Sequence, residues 1–244
     1  MSDTMLMANI HGQHPWPTSV ANIHLAPGAP ESPPDAEVVR GSYDFHHFGS
    51  GGLDDRGWGC AYRSLQTIAS WALRPPLGTG GREAPSQSSF AVPTHLEVQE
   101  ALELCGDKPP GFAGSREWIG SFELGLVLDA LLGLPSRILP FNCGRELPQA
   151  APSLASHFAS GGGPVMCGGG SAAVTLLGVA PGAPVPCALV LDPHFFRARD
   201  SDPTARGAAE VAAAGCLNWR DLSEIAPEGA HCNLLLPKRP PTKS

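Results

Sequence analysis

Glycine and proline interrupt this chain so often that no long regular element can run through it: 29 glycines and 26 prolines fall among 244 residues. That is nearly a quarter of all positions, about twice ordinary usage, so loops and unstructured segments take a large share of the length. A long helical bundle is excluded. With 42% of residues hydrophobic, what remains can still close a sizeable core in one large domain or two small ones.

Charge and cysteine usage narrow the class. Sixteen basic against 23 acidic residues give a net charge of −7, and no stretch gathers more than a few basic side chains. An electrostatic grip on nucleic acid or on an anionic membrane is therefore not expected. No apolar run of membrane-spanning length occurs, and Met1 to Trp16 lacks the charged flank and apolar centre of a signal peptide. The seven cysteines are odd in number, widely spaced and free of any Cys-x-x-Cys pair, which suggests neither a disulfide framework nor a zinc site. The expectation is an intracellular, cytoplasmic protein. Most of the cysteines sit in apolar runs and read as inert buried thiols; Cys60 is the exception.

Residues 1–39 carry Pro15-Trp16-Pro17, a Pro-Gly-Ala-Pro stretch and Pro33-Pro34 without helical or strand period. Ordering them would cost more entropy than their apolar groups recover, so they are expected to form a disordered leader whose deletion leaves folding intact. Residues 40–244 are expected to form the folded domain. Within it, Ala61, Leu65, Ile68, Ala69 and Ala72 recur at three- and four-residue steps until Pro75-Pro76, predicting a helix that begins at Cys60. Two further helices are expected from His95 to Cys105 and from Phe122 to Leu132, the second apolar enough to lie deep in the core. The second half changes period. Short apolar runs at 163–167, 173–177, 187–191 and 232–236, bounded by Gly, Pro or Asp, predict antiparallel strands. Helices first and strands later give an α+β domain with helices packed on an antiparallel sheet. Residues 197–215 read as a surface insertion with a short helix around 208–214.

Two segments carry chemistry. A thiol at a helix N-terminus meets the positive end of the helix dipole and unpaired N–H groups, which favour thiolate. Cys60 is thus a candidate nucleophile, or a structural cysteine at a helix start. Gly57 and Gly59 would let a substrate backbone come close, and the Cys60 N–H could serve a developing oxyanion. The second segment is Asp192-Pro193-His194. Residues two apart in a strand share a face about 6.6 Å apart, so the carboxylate could orient the imidazole as a base. The alternative is an ordinary turn at a strand end. Other polar residues have plainer readings: His46 and His47 as a loop pair rather than metal ligands, since no third and fourth ligand is evident; Asp54 and Asp55 as helix caps or solvent-facing groups; Trp58 as a groove wall or core residue. The triple glycine at 168–170 lacks the Lys and Ser/Thr of a phosphate loop.

Taken together, Asp55-Arg56-Gly57-Trp58-Gly59-Cys60-Ala61-Tyr62-Arg63-Ser64-Leu65-Gln66-Thr67-Ile68, Gly106-Asp107-Lys108-Pro109-Pro110, Trp118-Ile119-Gly120-Ser121-Phe122-Glu123, Gly168-Gly169-Gly170 and Asp192-Pro193-His194 resemble the ubiquitin-fold-modifier-specific cysteine proteases, in their short form. The autophagy-related cysteine proteases share the Gly-Trp-Gly-Cys and Asp-Pro-His segments but not the rest as closely. The resemblance covers roughly residues 41–240. It implies a papain-like fold with Cys60 as nucleophile, His194 as general base and Asp192 orienting it, and no metal or organic cofactor. The implied partners are the modifier and its conjugates: the precursor's C-terminal tail is trimmed and the modifier is removed from target lysines.

The chain departs from the family pattern at Phe48, where a tyrosine hydroxyl usually helps form the oxyanion hole. Losing one such donor typically costs about 100- to 1,000-fold in rate. A modifier-binding pseudoprotease is therefore the rival reading, and a small-molecule thiol hydrolase a third. The family's His-Thr after the triple glycine is here Val174-Thr175, which removes whatever substrate contact that histidine makes.

Overall fold

The computed structural model describes residues 20–74, 91–182, 185–196 and 214–240. The expected helix at 208–214 falls almost wholly outside them.

The sequence periods translate into structure with few changes. Helix α1 spans Cys60–Leu73, α2 His95–Leu104 and α3 Ser121–Leu132. α2 starts at Thr94 with a capping box: the Thr94 side chain accepts from the Glu97 N–H while Glu97 reaches back to the Thr94 N–H. α3 ends at Gly133, whose φ of 58° supplies the left-handed turn that stops it. The expected strands appear as β5 (Val165–Gly169), β6 (Ala172–Ala180), β7 (Cys187–Leu191) and β9 (Cys232–Pro237).

Of the longer elements three were not anticipated, and two of them contain proline. Strand β4 (Ser136–Phe141) includes Pro140, tolerated because β4 lies at the edge of the sheet. Helix α4 (Ala151–Ala159) carries Pro152 in its first turn, where a missing N–H breaks no hydrogen bond. Strand β8 (Leu217–Asp221) closes the opposite edge. The sheet is antiparallel in the order β4-β9-β5-β6-β7-β8. A short strand β2 (Glu37–Val38) pairs with β6 beyond the end of β5, and β1 (Val20–Ala21) pairs with β3 (Asp44–Phe45) in a separate two-stranded ribbon.

α1 packs on β5 and β6, and α3 packs against α1 and β9. Every residue from Ala61 to Trp71 is buried, so the polar face of α1 is enclosed as fully as its apolar face. β6 is buried from Ala173 onward, as expected of a central strand. The fold is thus α+β, as the sequence implied. α3, by contrast, is not deep in the core. Among the described residues only one side of it finds a partner; Phe122 remains 61% exposed.

The expected disordered leader does not extend to residue 39. Ile23 is fully buried and Val39 nearly so, and the Val39 N–H donates to the Leu177 carbonyl at 2.7 Å. Between them, β2 extends the sheet. Pairing with β6 settles the backbone groups of Glu37 to Val39 just after the prolines, a contribution that local composition does not reveal. Residues 1–19 lie outside the described residues. No helix among the described residues is long and apolar enough to cross a membrane.

Candidate active site

Cys60 stands at the first position of α1, after a tight turn built on Asp55. The Asp55 carbonyl accepts the N–H groups of Trp58 (3.2 Å) and Gly59 (2.8 Å). Gly57 takes a φ of 84°, which glycine adopts without strain. Gly59 has an ordinary φ but no room: a Cβ there would lie 2.1 Å from the Asp55 Oδ2.

Asp55 itself is not the solvent-facing cap that the sequence suggested. Its side chain is fully buried, and the Arg63 Nε donates to Oδ2 at 2.6 Å across an enclosed ion pair. The His95 Nε2 donates to the same oxygen at 3.1 Å, and the Gly49 N–H to Oδ1 at 2.9 Å. Burial pushes the carboxyl pKa up, but the hydrogen bonds from His95 and Arg63 and the Arg63 charge outweigh it and hold it at about 2. Asp54 is the exposed one, paired with Arg56 at the surface.

At the other end of the site, β7 stops at Leu191 and the chain turns. Asp192 Oδ1 accepts both the His194 main-chain N–H (3.0 Å) and the His194 Nδ1 (2.5 Å). The convergence that alternation along a strand suggested is thus achieved by an Asx-type turn just past the strand end. Hydrogen bonding to Asp192, and then to Cys60, raises the His194 pKa to about 10 against the opposing effect of burial. With Nδ1 committed to Asp192, Nε2 is the nitrogen left for the thiol. Asp192 is lowered: burial works against this, and the bonds to His194 overcome it.

Phe48 lies beside this pair. It is 5% exposed, its ring meets the His194 imidazole edge-on at 5.1 Å, and its N–H donates to the Pro193 carbonyl at 3.0 Å. His47 Nδ1 donates to the Phe48 carbonyl (2.8 Å) and its ring packs against Phe195. The His46 N–H donates to Thr67 Oγ1, and burial drives its imidazole toward the neutral form.

A cleft of about 200 Å³ opens beside Cys60. Trp58, Trp118, Gly120, Ser121, Met166, His231, Asn233 and the turn from Gly168 to Ala173 line it. Trp118, half exposed, donates its Nε1 to the Gly57 carbonyl (3.0 Å) and so ties the far wall to the turn before Cys60. The triple glycine leaves this cleft little room for side chains: a Cβ on Gly169 would meet the Cys232 Cβ at 2.8 Å, one on Gly168 would displace the tip of Met166, and Gly170 takes a φ of 60°. Gly57 and Gly59 do not line the cleft; conformation at one and the neighbouring carboxylate at the other account for them. Val174 is buried within β6, opposite Cys167. Of the other cysteines, burial pushes Cys167 up to about 12 and Cys216 to about 11, as inert thiols should behave. All seven are free.

Sequence reading missed Asp55, Arg63 and His95 as a unit, and Trp118 as a wall. The available signal was α1 itself: Arg63 is its one charged residue, too few for a helix with a solvated face.

The model of Peptidase family C78 matches residues 34–228. A rice protein, "Probable Ufm1-specific protease", is 43% identical over 83% of this chain and 30% of its own length. Human "Ufm1-specific protease 2" is 41% identical over 86% of this chain and 42% of its own. The crystal structure of UfSP from C. elegans superposes with a TM-score of 0.72 at 33% identity, covering 92% of this chain and 38% of that one. The chain therefore spans less than half the length of each of these relatives. A cysteine at the head of a buried helix, facing an Asp–His pair at a strand end, is the papain-like arrangement, and with the family model matching most of its length the chain belongs to peptidase family C78.

Proposed function

We propose that this chain is a thiol protease that trims the C-terminus of a ubiquitin-fold modifier precursor and releases the modifier from target lysines. The observation that carries the reading is the hydrogen-bonded series Asp192, His194 and Cys60, with Cys60 on the wall of a glycine-lined cleft. The relatives are named Ufm1-specific proteases, which supplies the substrate class.

A His194 held cationic to about pH 10 stabilises the Cys60 thiolate beside it. The thiolate attacks the scissile carbonyl carbon; the oxyanion that forms is met by the Cys60 N–H at the start of α1. His194 then gives its proton to the departing amine. Once Cys60 is acylated, its contribution to the raised His194 pKa is gone, and the freed imidazole can take a proton from the water that hydrolyses the thioester. Acyl transfer by this route requires neither a metal nor an organic cofactor. Seven free cysteines, one of them the nucleophile, suit a reducing compartment, and we place the protein in the cytoplasm.

Phe48 favours a second reading. A phenyl ring beside His194 has no hydroxyl to offer an oxyanion, so the chain would bind the modifier and turn it over negligibly. Turnover of purified precursor separates the two. Cleavage by the wild-type chain, abolished in Cys60→Ala, supports the protease; saturable binding without cleavage supports the pseudoprotease.

A further inference from the structure

We infer that Asp55 is a positioning residue that keeps the thiol and the imidazole in register, a role that rests on the protease reading above. All its oxygen atoms are committed. Oδ1 takes the Gly49 N–H, Oδ2 takes Arg63 and His95, and the carbonyl takes Trp58 and Gly59. Gly59 immediately precedes Cys60 and lies flat against the carboxylate. Gly49 immediately follows Phe48, which holds the His194 turn through the Pro193 carbonyl and packs on the imidazole itself. One buried residue therefore grips, a single residue away on each side, the segment that presents the nucleophile, through its carbonyl and the packing of its carboxylate on Gly59, and the segment that supports the base, through Oδ1.

A buried ion pair adds little net stability over apolar residues of equal volume. What it does add here is direction: Arg63, one turn into α1 and bonded to Gln66 at 3.0 Å, fixes the carboxylate relative to the helix that carries Cys60. His95, His46 and His47 are all driven toward the neutral form by burial, and Asp55 stays ionised.

Alkylation of Cys60 by iodoacetamide, located by peptide mass mapping, tests this without any protein substrate. Asp55→Asn keeps the shape but places an amide where Arg63 and His95 need an acceptor. If Asp55 positions the pair, the rate near pH 6 falls about tenfold or more while the rate near pH 9 changes little, because free thiolate needs no aligned imidazole there. Loss of a neighbouring negative charge alone would act oppositely and speed the reaction near pH 6. On precursor, kcat falls about 10- to 100-fold with KM nearly constant. Should Asp55→Asn fail to fold, His95→Leu and His95→Gln decide: the leucine loses the low-pH rate, and the glutamine, whose amide can donate to Oδ2, restores most of it. A folded Asp55→Asn or His95→Leu that reacts near pH 6 at the wild-type rate or faster overturns the inference. A wild-type chain that cleaves no precursor would instead remove the protease reading and leave the alkylation result standing.

Discussion

Replacing Gly59 by alanine separates two reasons for the glycines around Trp58. The new methyl would sit 2.1 Å from Asp55 Oδ2 and 2.6 Å from its Cβ and Cγ, more than an ångström inside ordinary contact. The obstacle is not a flexible tip. Asp55 is held by Arg63, His95 and Gly49 and has no solvent to move into. Relief requires pulling the carboxylate off its cationic partner, and breaking a buried pair costs about 3–5 kcal/mol, a large part of an ordinary domain's stability. Gly57→Ala is the control: its φ of 84° carries a backbone penalty of about 1–2 kcal/mol, but nothing lies within 4 Å of the new methyl. Urea unfolding followed by far-ultraviolet circular dichroism should place Gly59→Ala well below Gly57→Ala. Equal losses, or a milder one at Gly59, would refute the argument that the Asp55 carboxylate dictates this residue.

Further expectations follow from the same geometry. Phe48→Tyr, if the ring occupies the oxyanion position, raises kcat toward the 100- to 1,000-fold typical of one donor, about 3–4 kcal/mol, with little change in KM; a folded variant with unchanged kcat places Phe48 outside that role. Deleting residues 1–39 removes two buried aliphatic side chains, Ile23 and Val39, and the β2 pairing; at about 1.5–3 kcal/mol each, thermal or urea unfolding should show a loss of about 3–6 kcal/mol, and an unchanged midpoint contradicts it. Asp192→Asn removes the first cause of the raised His194 pKa, so its imidazole, followed by NMR, should titrate well below the wild-type value of about 10. Because that pKa is raised on folding, His194 stabilises the native state fully below about pH 6.5, and this contribution is lost as pH rises through about 10; the variant should show a weaker loss across that window.

What the sequence made legible was whatever depends on local period. α1, α2, α3 and the four apolar strands announce themselves because their burial follows the 3.6- or two-residue repeat. Prolines hid β4 and α4, since a composition rule cannot tell an edge strand or a first helical turn from a loop. The leader was misjudged for a related reason: Ile23 and Val39 are isolated in sequence, and only the three-dimensional neighbourhood of β6 gives them a place to be buried. At the site, Cys60, Asp192 and His194 were readable because their chemistry demands particular residue types at particular element ends. Asp55, Arg63 and His95 were not, because they span 40 residues and meet only when α2 packs beside the start of α1.

The central claim, that Cys60 is the nucleophile acting on a ubiquitin-fold modifier, is met most directly by trapping. The modifier, carrying a thiol-reactive electrophile in place of its C-terminal carboxylate, is incubated with the wild-type chain, and the adduct is mapped by mass spectrometry. The account predicts one adduct, on Cys60, formed slowly or not at all in His194→Ala. An adduct on another cysteine, such as the exposed Cys105, or undiminished precursor cleavage by Cys60→Ala, would contradict it.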